Sequence, residues 1–248
     1  MKISIITVTY NAGAFLKTCM DSVQQQTHPD IQYIVIDGLS SDNTLDIAAS
    51  YGIVSQLVSE NDNGMYDALN KGIAMATGEV IGILHADDFF ACETVLEKVA
   101  AAFNNSHADV LYGDLSYVDQ QDIRRVIRKW KSRSYRKGLF QWGWMPAHPT
   151  FYAKRELFER YGNYRLDMGS AADYELMMRF LHKHNVKSHY LPDEMVKMRT
   201  GGMSNSSLSA RIKANRADIR AMKLNGIKYP YLAAVLKPLR KIPQFLGL

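Results

Sequence analysis

Two adjacent carboxylates, Asp87 and Asp88, follow directly on the apolar run Val80 to Leu84 in the segment His85-Ala86-Asp87-Asp88. Neighbouring like charges raise each other's pKa, so the pair calls for a positive partner. One carboxylate holding a divalent cation and the other a sugar hydroxyl would meet that need. Hard cations such as Mg²⁺ take one or two protein carboxylates and complete their shell with water and substrate phosphate oxygens. A helix N-cap pair ahead of Glu93 is the competing account. Two other polar clusters invite comparison. In Thr9-Tyr10-Asn11 an aromatic ring could stack on a base, and in Asp37-Gly38 a carboxylate could accept from a base or ribose, although both also suit simple turns. Asp67 and Lys71 stand four apart, the spacing of a helical ion pair, and Asp173 by residue type alone suits a helix N-cap.

These groups must be positioned by short β-branched runs that alternate with helical patterns. Strands are expected at residues 2–9, 31–37, 53–58 and 80–84, and helices at 12–26, 42–51, 64–76 and 93–103. Such alternation implies parallel pairing through right-handed crossovers, hence an α/β doubly wound sheet. Ligands of these sheets bind at the carboxyl ends of strands, where Thr9-Tyr10, Asp37 and Asp87-Asp88 all fall. Beyond Val110 the pattern is mixed. Strand-like stretches at 110–113 and 148–153 and helices near 154–161 and 171–184 precede two closing helices, about 208–224 and 229–240.

At 248 residues, 47% of them apolar, the chain can bury a sizeable core. It has neither a membrane-spanning apolar run nor a signal-peptide pattern, so a cytoplasmic protein is expected. Cys19 and Cys92 lack metal-ligand spacing and are expected as small buried hydrophobes within helices. No GxGxxG follows the first strand and no GxxxxGK[ST] occurs, which disfavours a dinucleotide dehydrogenase or a P-loop phosphotransferase. The net charge of +5 is unevenly spread, since residues 208–248 hold nine basic residues against one acid, Asp218. A second run, Arg124 to Lys137, holds eight basic residues and no acid. Neither carries a nucleic-acid-binding motif, so no nucleic acid is expected. The closing helices, with Arg211, Arg216 and Arg220 and then Leu232, Val235, Leu239 and Lys241, suit an amphipathic anchor at an anionic membrane surface.

Taken in order, SIITVTYN, VIDGLSSDNT and SENDNGMYDALNKGIAMATGEVIGILHADD resemble the nucleotide-binding half of glycosyltransferase family 2, the inverting GT-A enzymes, especially bacterial O-antigen and exopolysaccharide transferases. The likeness continues through HPTFYAKRELFERYGNYR, SAADYELMMRF and GGMS. It implies a GT-A domain over residues 1–206, with a Rossmann-like nucleotide-sugar half at 1–110 and an acceptor half at 111–206, and leaves 207–248 as a basic helical extension. It implies that Thr9, Tyr10 and Asp37 hold the nucleobase, that Asp87 contacts the ribose, and that Asp88 binds Mg²⁺ or Mn²⁺. Asp88 fills the last position of a DxD-like motif whose first position is Ala86, leaving the metal one protein carboxylate. Asp67 and Lys71 would line the donor site. Asp173 would be the base that deprotonates the acceptor hydroxyl, although the Glu that precedes it in the family is Ala172 here. His148 and Arg199 are implied contacts of acceptor or diphosphate, with a core or turn histidine as the equal alternative for His148. Gly201-Gly202-Met203-Ser204 resembles a loop that closes over the donor diphosphate. Trp142 and Trp144 could stack on sugars or belong to the core.

The implied activity is inverting transfer of a sugar from a nucleotide diphosphate, with UDP expected, to a hydroxyl of a lipid-linked glycan at the inner face of the cytoplasmic membrane. A sugar-phosphate nucleotidyltransferase shares the sheet and acidic site, but wants a glycine-rich basic loop after the first strand that TYNAGAF lacks. A catalytically silent nucleotide- or glycan-binding module is the remaining alternative.

Overall fold

The computed structural model describes residues 1–201, 208–240 and 244. Its first half alternates as the sequence pattern requires: β1 (Ile3–Thr9), α1 (Gly13–Gln24), β2 (Ile31–Asp37), α2 (Thr44–Ala49), β3 (Val54–Ser59), α3 (Met65–Met75) and β4 (Val80–Ile83). There follow β5 (Phe89–Phe90), α4 (Val95–Ser106), β6 (Val110–Val118), β7 (Val126–Trp130), β8 (Tyr152–Lys154), α5 (Arg155–Tyr161), α6 (Ala172–Met178), β9 (Ser188–Arg199), α7 (Leu208–Leu224) and α8 (Pro230–Leu239). One sheet joins the strands in the order β3-β2-β1-β4-β8-β6-β9-β5, with β7 on β6. The sheet is parallel from β3 to β4, and β8 then enters antiparallel between β4 and β6.

Strands β1 and β2 are buried on both faces, which their runs ISIITVT and IQYIVID satisfy with apolar side chains pointing either way. Ile3, Ile5, Tyr33 and Val35 pack beneath α1, α2 and α4, while Ile6, Ile34 and Ile36 pack against α3 and the later helices. The β1–β2 register pairs Ile3 with Ile31 and therefore ends by pairing Thr9 with Asp37. That pairing sets the candidate residues side by side at one edge.

The second half departs from expectation in three strands. β5 is two residues long, β7 is written in the basic run as VIRKW, and β9 runs through SHYLPDEMVKMR. Pro192 is accommodated because the β6–β9 register jumps between the pairs Tyr112–Tyr190 and Asp114–Glu194, leaving a bulge that needs no ladder donor. Gly113 faces that bulge; a Cβ there would lie 2.4 Å from Met195 Sδ. The stretch expected as a strand at 148–153 divides into a 3₁₀ turn, His148–Thr150, and β8.

Cys19 is buried as expected, whereas Cys92 is exposed in the turn ahead of α4. The N-cap position of α4 is Thr94, so Asp87 and Asp88 do not cap that helix. The closing helices are built into the main core. Ala221, Met222, Ala233 and Ala234 are buried with Tyr174 and Phe140, and Lys237 pairs with Asp218 at 2.7 Å. Residues 202–204 of the expected closing loop, and Lys241, lie outside the described residues.

Candidate active site

At the ends of β1 and β2 a buried carboxylate organises the turns. Asp37 has 0% exposure and accepts from Thr9 Oγ1 at 2.8 Å, Ser40 N at 2.9 Å, Ser59 Oγ at 2.8 Å and the Ser40 hydroxyl. Burial alone would raise its pKa, but the Ser40, Ser59 and Thr9 donors outweigh it and hold the carboxyl below its ordinary value. The two loops are also laced together, because Asn11, in the left-handed region at φ 49°, accepts from Ser41 N at 2.9 Å while Asp42 accepts from Gly13 N. Tyr10 projects from this frame with 69% of its surface exposed, a ring free on one face. Asp62, which the sequence did not single out, stands beside it. A Cβ on Gly38 would lie 2.6 Å from Asp62 Oδ2 and 3.5 Å from Tyr10 Cδ2, so only glycine at 38 lets that carboxylate approach without displacement.

The end of β4 is electrostatically different. Asp88 is 1% exposed and, among the described residues, accepts a single hydrogen bond, from Arg199 N at 3.3 Å, and leaves Oδ2 buried without a partner. Burial, then the neighbouring Asp87 charge, push its pKa well above the carboxylate range, and Arg199 offsets this only in part. Arg199 donates to Asp87 O at 2.6 Å with the rings of Phe15 and Phe89 within 5.3 Å of its guanidinium, while its Nε has no partner among the described residues. Burial lowers its pKa against the opposing pull of both aspartates. Pairing of Phe89 with Lys197 between β5 and β9 is what brings Arg199 here. His85 and His148 lie nearby with tilted rings, centroids 6.2 Å apart.

Among the described residues no cluster of three His, Cys, Asp or Glu side chains could hold a metal by itself. The unpartnered Asp88 oxygen nevertheless suits a hard cation that completes its shell with ligand phosphates and water.

Helix α3 links these strand ends to the later half. Tyr66 donates to Asp173 Oδ2 at 2.8 Å, and Asn70 exchanges two hydrogen bonds of 2.9 Å with the backbone of Tyr164. One turn round the helix, Asp67 accepts from Asn63 N at 2.9 Å, steadying the loop into α3. Lys71 pairs with Glu60 at 2.7 Å and donates to Asn61 O, so its ion pair is with that loop rather than with Asp67. Asp173 lies in the first turn of α6, whose N-cap position is Ala171 and shows no side-chain capping bond; the capping role is therefore not the one it has. Below it, Arg179 ties α6 to the chain through Glu175 at 2.8 Å and the carbonyls of Tyr161, Gly162 and Asn163. Trp144 is buried in the core, and Trp142 is exposed.

Sheet order thus places Thr9, Tyr10, Asp37 and Asp62 next to Asp87, Asp88 and Arg199, since β1 lies between β2 and β4. Such an edge offers an exposed aromatic ring and a buried carboxylate oxygen, and Tyr66 of α3 holds a further carboxylate, that of Asp173.

Comparison with known proteins gives a family and a fold. The profile described as Glycosyl transferase family 2 matches residues 4–162. A PGL/p-HBAD biosynthesis glycosyltransferase of Mycobacterium bovis is 31% identical over 211 residues, covering 82% of this chain and 79% of that protein. Among solved structures, Staphylococcus aureus TarS 1-349 in complex with UDP-GlcNAc superposes with a TM-score of 0.71 at 19% identity, over 99% of this chain and 72% of that one. The mannosyltransferase PcManGT of Pyrobaculum calidifontis, in complex with GDP-Man and Mn²⁺, gives 0.68 at 18%, over 99% and 73%.

Proposed function

The chain belongs to glycosyl transferase family 2 and is a glycosyltransferase of GT-A fold, and from that premise we propose that it moves a sugar from UDP to a hydroxyl of a lipid-linked glycan, with inversion, in cell-surface polysaccharide synthesis. The observation that carries the donor half of this reading is the buried, unpartnered Asp88 oxygen at the strand edge beside Tyr10 and Asp37. Nucleotide-sugar complexes of structures with the same fold, one with UDP-GlcNAc and one with GDP-Man and Mn²⁺, support it.

In this scheme Tyr10 stacks on the base. Thr9 and Asp37 frame the base pocket, Asp37 receiving a base N–H in exchange for one of its hydroxyl donors, and Asp87 takes the ribose. Asp88 would hold Mg²⁺ or Mn²⁺, and a bound cation would supply charge neutralisation of the leaving nucleotide. Arg199 and His148 face the same phosphates. Asp67 and Lys71 keep the 60–64 loop closed over the donor. Asp173 is the base: Tyr66 fixes Oδ2, and the carboxylate takes the acceptor proton as the acceptor oxygen attacks the anomeric carbon from the face opposite the nucleotide. Residues 1–110 thus serve the donor, 111–206 the acceptor, and 207–248 attachment at the inner face of the cytoplasmic membrane. No helix among the described residues is long and apolar enough to cross a membrane, so attachment is peripheral in this proposal.

Calorimetric titration of UDP, GDP and dTDP with and without Mn²⁺ tests the donor site. UDP should bind best, and its metal dependence should vanish in Asp88→Asn. Asp173→Asn should retain nucleotide binding and lose roughly 10²–10⁴ in turnover; unchanged turnover would remove the base assignment.

A further inference from the structure

Between the segment after β7 and helix α8 lies a cleft of about 200 Å³ lined by Lys131, Arg133, Lys237 and Arg240, with Trp130 and Trp144 among its walls. No acidic residue lines it among the described residues. Lys237 is answered by Asp218 at 2.7 Å, whereas Lys131, Arg133 and Arg240 make no ion pair among the described residues. Arg240 spends Nε on a neutral acceptor, Trp142 O, at 2.7 Å, and keeps its charge for something else.

Next to this cleft α8 carries an apolar face outward. Its inward side buries Ala233 and Ala234, and its outward side exposes Tyr231, Leu232, Val235 and Leu239, Val235 at 62%. Trp142, 56% exposed, is joined to the end of that helix by the Arg240 bond. Arg133 and Arg240, together with Lys131, whose charge is partly answered by Asp114, stand beside an exposed apolar ridge and match an amphiphile with a multiply charged phosphate head and a hydrocarbon tail. The cleft is also close to the crevice, since Trp130 packs on His148 at 6.5 Å between ring centroids and His148 packs on His85 at 6.2 Å.

We propose that this cleft binds the diphosphate group of a membrane-embedded isoprenoid lipid, with α8 and Trp142 seated in the bilayer interface beside it. The proposal rests on the lipid-linked acceptor suggested above and names the part of that acceptor which the protein grips. It also orients the molecule, placing the attached glycan on the side of the cleft where His148 leads to the strand edge.

The test is flotation of the full chain with vesicles of phosphatidylcholine, of phosphatidylcholine with phosphatidylglycerol, and of phosphatidylcholine with a polyprenyl diphosphate at equal surface charge. The diphosphate vesicles should bind best, and soluble inorganic diphosphate should compete on them. Lys131→Gln with Arg133→Gln should weaken that binding by roughly 30-fold, about fivefold for each cation near the surface. Val235→Glu should weaken binding to every vesicle. Equal binding to both anionic vesicles, no competition by inorganic diphosphate, or an unaffected double variant would each overturn the cleft assignment. UDP calorimetry on the same proteins reports the donor site separately. Nucleotide binding without vesicle selectivity would remove the lipid site and leave the donor-site reading standing, whereas lipid selectivity without nucleotide binding would do the reverse.

Discussion

Asp37 ends β2 and Asp88 lies in the turn after β4, the two parallel strands that flank β1; both are buried, yet their surroundings are opposite. Among the described residues Asp37 receives four hydrogen bonds and is held ionised, whereas Asp88 receives one and is pushed toward its neutral form. A buried carboxylate with its acceptors filled is a finished piece of architecture. One with an empty oxygen and an adjacent like charge carries an unfavourable term that a ligand must offset. The contrast separates a carboxylate that the protein itself already supplies with donors, and that frames the base pocket, from one whose free oxygen calls for a ligand, although both have the same chemistry.

Asp88→Asn probes the contrast hardest. Turnover should fall by about 10²–10³, the usual cost of losing a charge-stabilising group, while the unliganded protein should melt at a higher temperature. The sign follows from the raised folded pKa: any stability from this group is present at low pH and is lost as pH rises through the folded value, so at neutral pH the wild type carries a cost that Asn removes. A lower melting temperature would dissolve the distinction between the two aspartates.

Asp37→Asn should act in the opposite sense, destabilising the fold by about 2 kcal/mol through donors left without an anionic acceptor. Because its folded pKa is depressed, its contribution is present above the ordinary carboxylate value and lost as pH falls through the folded value. Chemical denaturation across the acid range should therefore show a shallower loss of stability for the variant.

Asp173, with one donor from Tyr66, is an intermediate case. Removing that donor in Tyr66→Phe should lower kcat by about tenfold, the scale of a hydrogen bond to a charged group. The KM for the donor should hardly change; an unchanged kcat would reduce Tyr66 to packing. The smallest effect expected is that of Gly38→Ala, whose Cβ would press on Asp62 Oδ2 at 2.6 Å. Since a flexible carboxylate can swing away, stability should change by less than about 0.5 kcal/mol, and UDP affinity should drop a few-fold if Asp62 borders the base.

The same contrast marks what was legible without coordinates. Helix and strand in the first half followed from local periodicity, because each central parallel strand must be apolar on both faces wherever its neighbours lie. β7 and β9 did not, since one is an exposed edge strand written in basic residues and the other contains Pro192 within a bulge. β9 also depends on β5 and β6, partners far along the chain. The placing of Thr9, Asp37 and Asp88 on one edge was foreseeable from strand order, but Asp62 and Tyr66 were not. One is defined by the absent Cβ of Gly38, the other by a bond across 107 positions of sequence. The closing helices, legible as basic and amphipathic, turned out to bury Ala233 and Ala234 in the common core while leaving Val235 outside.

The amino-acid sequence by itself determined the alternation that builds a doubly wound sheet, the absence of glycine-rich phosphate loops, and the residue types that end each strand, because these depend on neighbours a few positions away. Only the tertiary structure decided which carboxylate is satisfied and which is not, where Arg199 lands, and which face of α8 meets solvent. Hydrogen-bond satisfaction and desolvation are set by what surrounds a group in space, and two aspartates identical in the chain acquire opposite character from the partners that the fold brings to them.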